Sequence, residues 1–128
     1  MGKSNTSKIG DELVENVIDE LIEQGIDPAG IKKTKGSGNV HGENDIVVKV
    51  PALGNLTISI DCKYLSSAPK DGELEKCIKQ AKQTGREFGV IVKNSHSKII
   101  DLKVEMRIRD FIRLIRSVGS ETETQLLQ

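Results

Sequence analysis

Between residues 10 and 25, Leu13, Val14, Val17, Ile18, Leu21 and Ile22 recur at the three- and four-residue intervals of a helix, and Gly25 stands where a left-handed residue would end it. The intervening Asp11, Glu12, Glu15, Asp19, Glu20 and Glu23 are all acids, so the outer side of this helix repels a phosphate backbone unless a cation intervenes. After residues 27–31, the stretch Lys32-Lys33-Thr34-Lys35-Gly36-Ser37-Gly38 has no period and reads as a weak strand running into a basic loop. The period then changes to two. Residues 45–50 and 56–63, parted by Pro51-Ala52-Leu53-Gly54-Asn55, predict a β-hairpin. Alternation places Leu56, Ile58, Ile60 and Cys62 on one face, so that Cys62 points into the core, and Thr57, Ser59, Asp61 and Lys63 on the other. On the first strand Ile46, Val48 and Val50 form the apolar set, leaving Asp45, Val47 and Lys49 on the more polar side, where Asp45, Asp61 and Lys63 converge.

A second helix is predicted over 72–84, with Leu74, Cys77, Ile78 and Ala81 inward, then Gly85 and a buried strand over 88–92. A last amphipathic helix is expected over 104–118, burying Ile108, Phe111, Ile112 and Ile115. A strand–helix–strand passage normally makes a parallel crossover, whereas a hairpin is antiparallel. The order therefore predicts an α/β protein with a central mixed β-sheet flanked by helices. Its length of 128 residues suits one domain, drawn here over 9–118 with flexible tails at 1–8 and 119–128.

Composition narrows the function. One Tyr, two Phe and no Trp exclude a platform on which bases could stack. The 19 basic residues balance 19 acidic ones, so any hold on nucleic acid must come from a local patch rather than a global field. Cys62 and Cys77 lack metal-site spacing and are expected to be free thiols in a reducing compartment. With no apolar signal region and no run of roughly 18 apolar residues, a soluble, cytoplasmic protein without a membrane partner is expected.

The chemistry rests on Asp45 followed, one hairpin later, by Asp61-x-Lys63. Two carboxylates on one face suit Mg²⁺, an oxygen-seeking ion that keeps several waters, and an adjacent ammonium can orient an attacking water and offset charge building on a phosphate. An acid-x-lysine on a strand is common by itself. Its weight here comes from the upstream Asp, the Gly-Ser-Gly loop and the acidic helix together.

At these residues the chain resembles the PD-(D/E)xK nuclease superfamily, and within it the archaeal-type Holliday-junction resolvases. Gly36-Ser37-Gly38 is similar to their serine and glycine loop, Asn44-Asp45-Ile46 stands where they carry Pro-Asp-Ile, and Ile60-Asp61-Cys62-Lys63 where they carry Ile-Glu-Cys-Lys. The likeness covers residues 9–93; Asn44 for proline and Asp61 for glutamate are departures that keep every ligand type. Gly42-Glu43-Asn44-Asp45 also resembles the Gly-Glu-x-Asp of a second, small nuclease-like family of the same superfamily. The resemblance implies a restriction-endonuclease-like fold, an α-β-β-β-α-β core to which the C-terminal helix is an addition. It implies Mg²⁺, with Mn²⁺ able to substitute, held by Asp45, Asp61, the Cys62 carbonyl and a first-helix glutamate, for which Glu15 is preferred and Glu12 is second choice, with Lys63 assisting the water. It also implies a homodimer, whose two sites suit paired nicks.

DNA contacts are expected from Lys32, Lys33 and Lys35, from the loop residues Ser37 and His41, and from Lys79, Lys82 and Arg86 around the second helix. Arg107, Arg109, Arg113 and Arg116 leave the last helix open to DNA contact or dimerisation. The expected function is a Mg²⁺-dependent, structure-selective DNA endonuclease of recombination and repair that resolves four-way junctions. The alternatives are a nicking, flap or restriction-like nuclease of the same superfamily in repair or defence, and a non-catalytic nucleic-acid-binding module.

Overall fold

The acidic amphipathic segment forms helix α1, Asn5–Glu23, in a computed structural model that describes residues 5–34, 43–64, 71–94 and 101–127. A 3₁₀ turn, Pro28–Gly30, capped by the Asp27 carboxylate on Ala29 N–H, leads into strand β1, Ile31–Lys33. The predicted hairpin is β2, Ile46–Val50, and β3, Leu56–Tyr64, turned by Pro51–Leu53 and by Gly54 and Asn55 in the left-handed region (φ 70° and 63°). Helix α2, Asp71–Gln83, and β4, Phe88–Asn94, follow.

A five-stranded mixed sheet results, in the order β1-β2-β3-β4-β5, where β5 is Lys103–Glu105. Among the described strands only β3 and β4 pair in parallel, joined through α2 as the strand–helix–strand order implies. On one face Leu13, Val14 and Val17 of α1 pack over Ile46, Val48, Ile60, Cys62, Val90 and Val92; Cys62 is buried there, as alternation predicts. On the other face Leu74 and Cys77 of α2 pack over Ile91. Here a glycine decides the geometry. A Cβ on Gly89 would lie 2.8 Å from Ile78 Cα and 2.9 Å from the Cys77 carbonyl oxygen, so only a bare backbone lets α2 descend onto β4. The side of the hairpin that sequence marks as polar is consequently covered: Ser59, beside Gly89, and Val47, opposite Ser59, are both buried.

The C-terminal third departs from expectation. The stretch expected as one helix over 104–118 divides into the short edge strand β5, which pairs with β4, and helix α3, Ile108–Leu127. Helix thus continues through residues drawn as a tail after 118, as α1 does before residue 9. The expected burial of Ile108, Phe111, Ile112 and Ile115 is overturned: they are 70, 46, 48 and 53% exposed. With α1 and α2 already on the two faces of the sheet, the third helix meets mainly the hairpin turn and the start of β4. It docks by its polar side. Asp110 is buried, Arg113 lies over the Phe88 ring at 4.9 Å, and Arg107 pairs with Glu75 of α2 at 3.1 Å. Among the described residues no helix is long and apolar enough to cross a membrane.

Candidate active site

Asp45 occupies the bend that starts β2. The register pairs Ile46 with Ile60, and one step further places Asp45 opposite Asp61, with Lys63 on the same face of β3 two residues on. Several bonds fix Asp45. Its carbonyl accepts from Thr34 N–H at 2.9 Å, Thr34 Oγ1 donates to the neighbouring Asn44 carbonyl, and Cys62 N–H donates to Asp45 Oδ2 at 2.8 Å. This last bond takes up a peptide donor just past the last ladder pair of β2, so chain geometry and carboxylate orientation are set together.

Asp61 lies beside this carboxylate, with Lys63 Nζ 3.4 Å from its Oδ2. Burial under α2 pushes the Asp61 carboxyl up to about 6; Lys63 pulls it down, and the Asp45 charge pushes it up again. Like charges facing each other across a ladder are destabilising, and Lys63 only partly offsets them here. The nearby Cys77 thiol is raised to about 12, by burial first and by the Asp61 charge second, so it stays a neutral thiol that donates to Val90 O at 3.3 Å.

Such a pair fits a hard divalent cation. Mg²⁺ needs only one or two carboxylates from the protein, and its charge would relieve the desolvated acid pair. With the Cys62 thiol turned into the core, that residue can offer its carbonyl alone. Among the described residues no group of three or more His, Cys, Asp or Glu could hold a metal, so any first-helix acid stands apart from the pair. Glu15 is exposed, and its carboxylate binds Lys33 Nζ, which raises the Lys33 pKa; Asp11, not singled out from sequence, adds to that effect. Lys33 stands opposite Ile46 and so belongs to the α1 face of the sheet, whereas Asp61 and Lys63 belong to the α2 face. Glu12 is exposed on the same helix.

The proposed DNA contacts divide similarly. Lys32, Lys79 and Lys82 are exposed, and Lys82 lines an open groove between α2 and the start of α3 with Glu75, Ile78, Arg107, Arg109 and Asp110. Arg86 is half-buried in an ion pair with Glu43 at 2.9 Å, a tie between the approach to β2 and the end of α2. Lys35, Ser37 and His41 lie outside the described residues.

Sequence reasoning missed two features. Asn44, noted only as a replacement for proline, is buried, and its Nδ2 donates to Ser59 Oγ at 2.8 Å, Cys77 O at 3.1 Å and Cys77 Sγ at 3.3 Å. It ties β2, β3 and α2 together one residue before the first acid. No periodic signal marks a lone Asn in this role. The second is a row of lysines: Lys63, Lys93 and Lys103 stand in register across β3, β4 and β5, with Lys103 also 3.4 Å from Asp101. Pairing β4 with β5 is what reveals it. No family model matches the chain, and no curated protein does.

Proposed function

We propose that the chain is a Mg²⁺-dependent, structure-selective DNA endonuclease of the PD-(D/E)xK kind, with a restriction-endonuclease-like fold, that resolves four-way junctions as a cytoplasmic homodimer. The observation that carries this reading is the acid pair: Asp45 and Asp61 face each other across β2 and β3, with Lys63 3.4 Å from Asp61 and Asp61 raised to about 6. The element order α-β-β-β-α-β, with β3 and β4 parallel, supports the fold assignment.

Asp45, Asp61 and the Cys62 carbonyl would hold the cation, which supplies positive charge against a phosphate and lowers the pKa of water. The Cys62 N–H keeps Asp45 from turning away, and Asn44 keeps β2 seated against β3 and α2 while a substrate enters. Lys63 is placed to orient the attacking water and to stabilise negative charge growing on the phosphate, with Asp61 limiting where its ammonium can swing. From there Lys93 and Lys103 extend positive charge outward along the same end of the sheet, a path for the phosphates next to the scissile one. Among the described residues nothing supports base-specific readout, whereas the lysine row supports recognition of backbone and shape.

The deciding experiment is cleavage of end-labelled four-way junction, duplex, flap and single-stranded DNA of matched sequence, with Mg²⁺, with Mn²⁺ and with EDTA, beside the Asp61→Asn protein. Paired symmetric nicks confined to the junction and lost in EDTA are expected. Metal-dependent cutting of another substrate keeps the site and moves the activity to a nicking, flap or restriction-like nuclease. Well-folded protein that cuts nothing, or an Asp61→Asn protein that cuts normally, overturns the assignment.

A further inference from the structure

The sheet separates charges as well as helices. Over one face α1 presents Glu12, Asp19, Glu20 and Glu23 to water; over the other, α2 and the start of α3 enclose a groove in which cations outnumber acids. Its two acids are already neutralised. Glu75 pairs with Arg107 at 3.1 Å, and the buried Asp110 pairs with Arg113 at 3.2 Å. That leaves Lys76, Lys79 and Lys82 on one wall and Arg109 on the other, all exposed and without an ion pair to any described residue. The three lysines recur every third residue, so they form one oblique row about 9 Å long on α2. Because the whole chain has a formal net charge of zero, this is a local excess, which turns the α2 side toward a polyanion and the α1 side away from it.

We infer that the groove between α2 and α3 holds the phosphate backbone of a second duplex arm, and that its angle to the lysine row Lys63, Lys93 and Lys103 selects branched over straight DNA. This rests on the nuclease reading, in which the row carries the arm that is cut. The row runs across β3, β4 and β5, a width of about 10 Å. The groove instead follows α2, which runs back along β4 as the crossover of the parallel pair and touches it at Gly89. A duplex has a persistence length of about 500 Å, so one arm cannot turn from the first track into the second over so short a distance. Two arms leaving a branch point can occupy both. The chemistry of the groove favours phosphate over a protein partner. Its free lysines and arginine only donate hydrogen bonds, as phosphate oxygens require, and Ile78 is its sole apolar lining residue, whereas a protein interface needs an apolar centre.

The test is fluorescence anisotropy of the full chain in EDTA, against a labelled four-way junction and a straight duplex of the same arm sequence. A variant combining Lys79→Gln, Lys82→Gln and Arg109→Gln is measured beside the parent. The parent is expected to bind the junction more tightly than the duplex. The variant should bind the junction at least about tenfold more weakly, with the slope of log Kd against log salt lower by about 2 to 3, the value for three phosphate contacts. Its affinity for the duplex, which the row alone holds, should stay within about twofold of the parent. All three side chains are exposed, so the urea midpoint should not move. Equal weakening on junction and duplex would make the groove a track for any DNA and overturn the selection of branched substrates. No weakening on either would leave the groove to an acidic protein and overturn the proposal outright. Cleavage tells this failure from that of the nuclease reading. A parent that cuts the junction beside a variant that binds it normally sinks the groove alone; a parent that cuts nothing beside a variant that loses only the junction sinks the nuclease alone. A parent that binds no DNA overturns both.

Discussion

The end of β2 and β3 and the outer face of α3 break the usual rule of burial in opposite senses. At the first, two carboxylates are drawn together under a helix, and Asp61 is pushed up to about 6. At the second, five large apolar side chains stand out in water. Each arrangement is unfavourable for the isolated chain; on the proposed reading a cation relieves the first, and covering of the apolar area would relieve the second. The nature of the violation indicates the kind of partner. Buried like charge calls for opposite charge, and exposed apolar area calls for apolar area.

The sharpest way to break this comparison is Asp61→Asn. Cleavage in Mg²⁺ should fall by about 10³-fold or more, since one of the two carboxylates and the anchor of Lys63 disappear together. Stability should move the other way. An activity assay and a urea titration in EDTA on the same preparation check both, and a protein that loses activity by unfolding would contradict the reading.

Burial by α2 is the cause assigned to the strained acid, and Gly89 is what permits that burial. Gly89→Val forces a side chain into the Ile78 and Cys77 backbone and should destabilise the fold by about 3 kcal/mol, read as a lower urea midpoint. The equivalent intrusion on α3, Gly119→Ala, meets open space and should be neutral or slightly stabilising. If both glycines tolerated substitution equally, the close approach of α2 to β4 would be in error.

How much of this was legible in the sequence differs between the two regions for physical reasons. Alternation along Leu56–Tyr64 fixes which residues share a face, so the convergence of Asp45, Asp61 and Lys63 and the burial of Cys62 could be read directly. That the polar face lies under α2 could not, because it depends on a glycine one strand away. For α3 the helical period shows which side is apolar but not whether a surface remains to receive it. Both sheet faces were already taken, a matter of topology rather than of local pattern. The strand Lys103–Glu105 is too short to show alternation, and without it Lys93 and Lys103 have no reason to be grouped with Lys63. Glu15 illustrates a different limit: likeness to a family suggests it as a ligand, and the structure pairs its carboxylate with Lys33 of β1, a helix-to-strand contact that no period in the sequence marks.

Acid pH separates the two regions further. The ordinary aspartate value is 3.8 and the folded value about 6, so the folded, metal-free chain holds the Asp61 proton more tightly than the unfolded chain does. This group's contribution is therefore fully present below pH 4 and is lost as pH rises through 6. The loss is on the order of 2 kcal/mol. In EDTA, Asp61→Asn should match the parent protein near pH 4 and exceed it near pH 7.5, and Mg²⁺ should close the gap. The apolar side chains on the exposed face of α3 carry no group that titrates in this range.

Asn44→Ala tests whether the acid site is held by its surroundings as α3 is held by Arg107 on Glu75 and Arg113 on Phe88. It removes the donor that reaches Ser59 and Cys77, and about 1 to 2 kcal/mol of stability should go with it. If Asn44 positions Asp45, kcat should fall as well, with KM little changed. A purely structural role would lower stability alone.

The smallest effect expected is at Lys93, and it tells whether the lysine row belongs to the acid site at all. Lys93 stands between Lys63 and Lys103 in adjacent ladder positions, where like charges disfavour one another unless an anion lies over them. Lys93→Gln removes that repulsion, so the free protein should lose no stability and could gain a few tenths of a kcal/mol. Binding should weaken only severalfold. Its signature is the salt dependence: in the Asp61→Asn background, which separates binding from cleavage, the slope of log Kd against log salt should fall by about 0.7 to 0.9, the value for one phosphate contact. An unchanged slope would place the DNA elsewhere, on Lys79 and Lys82 along α2, and would leave Lys93 to the fold.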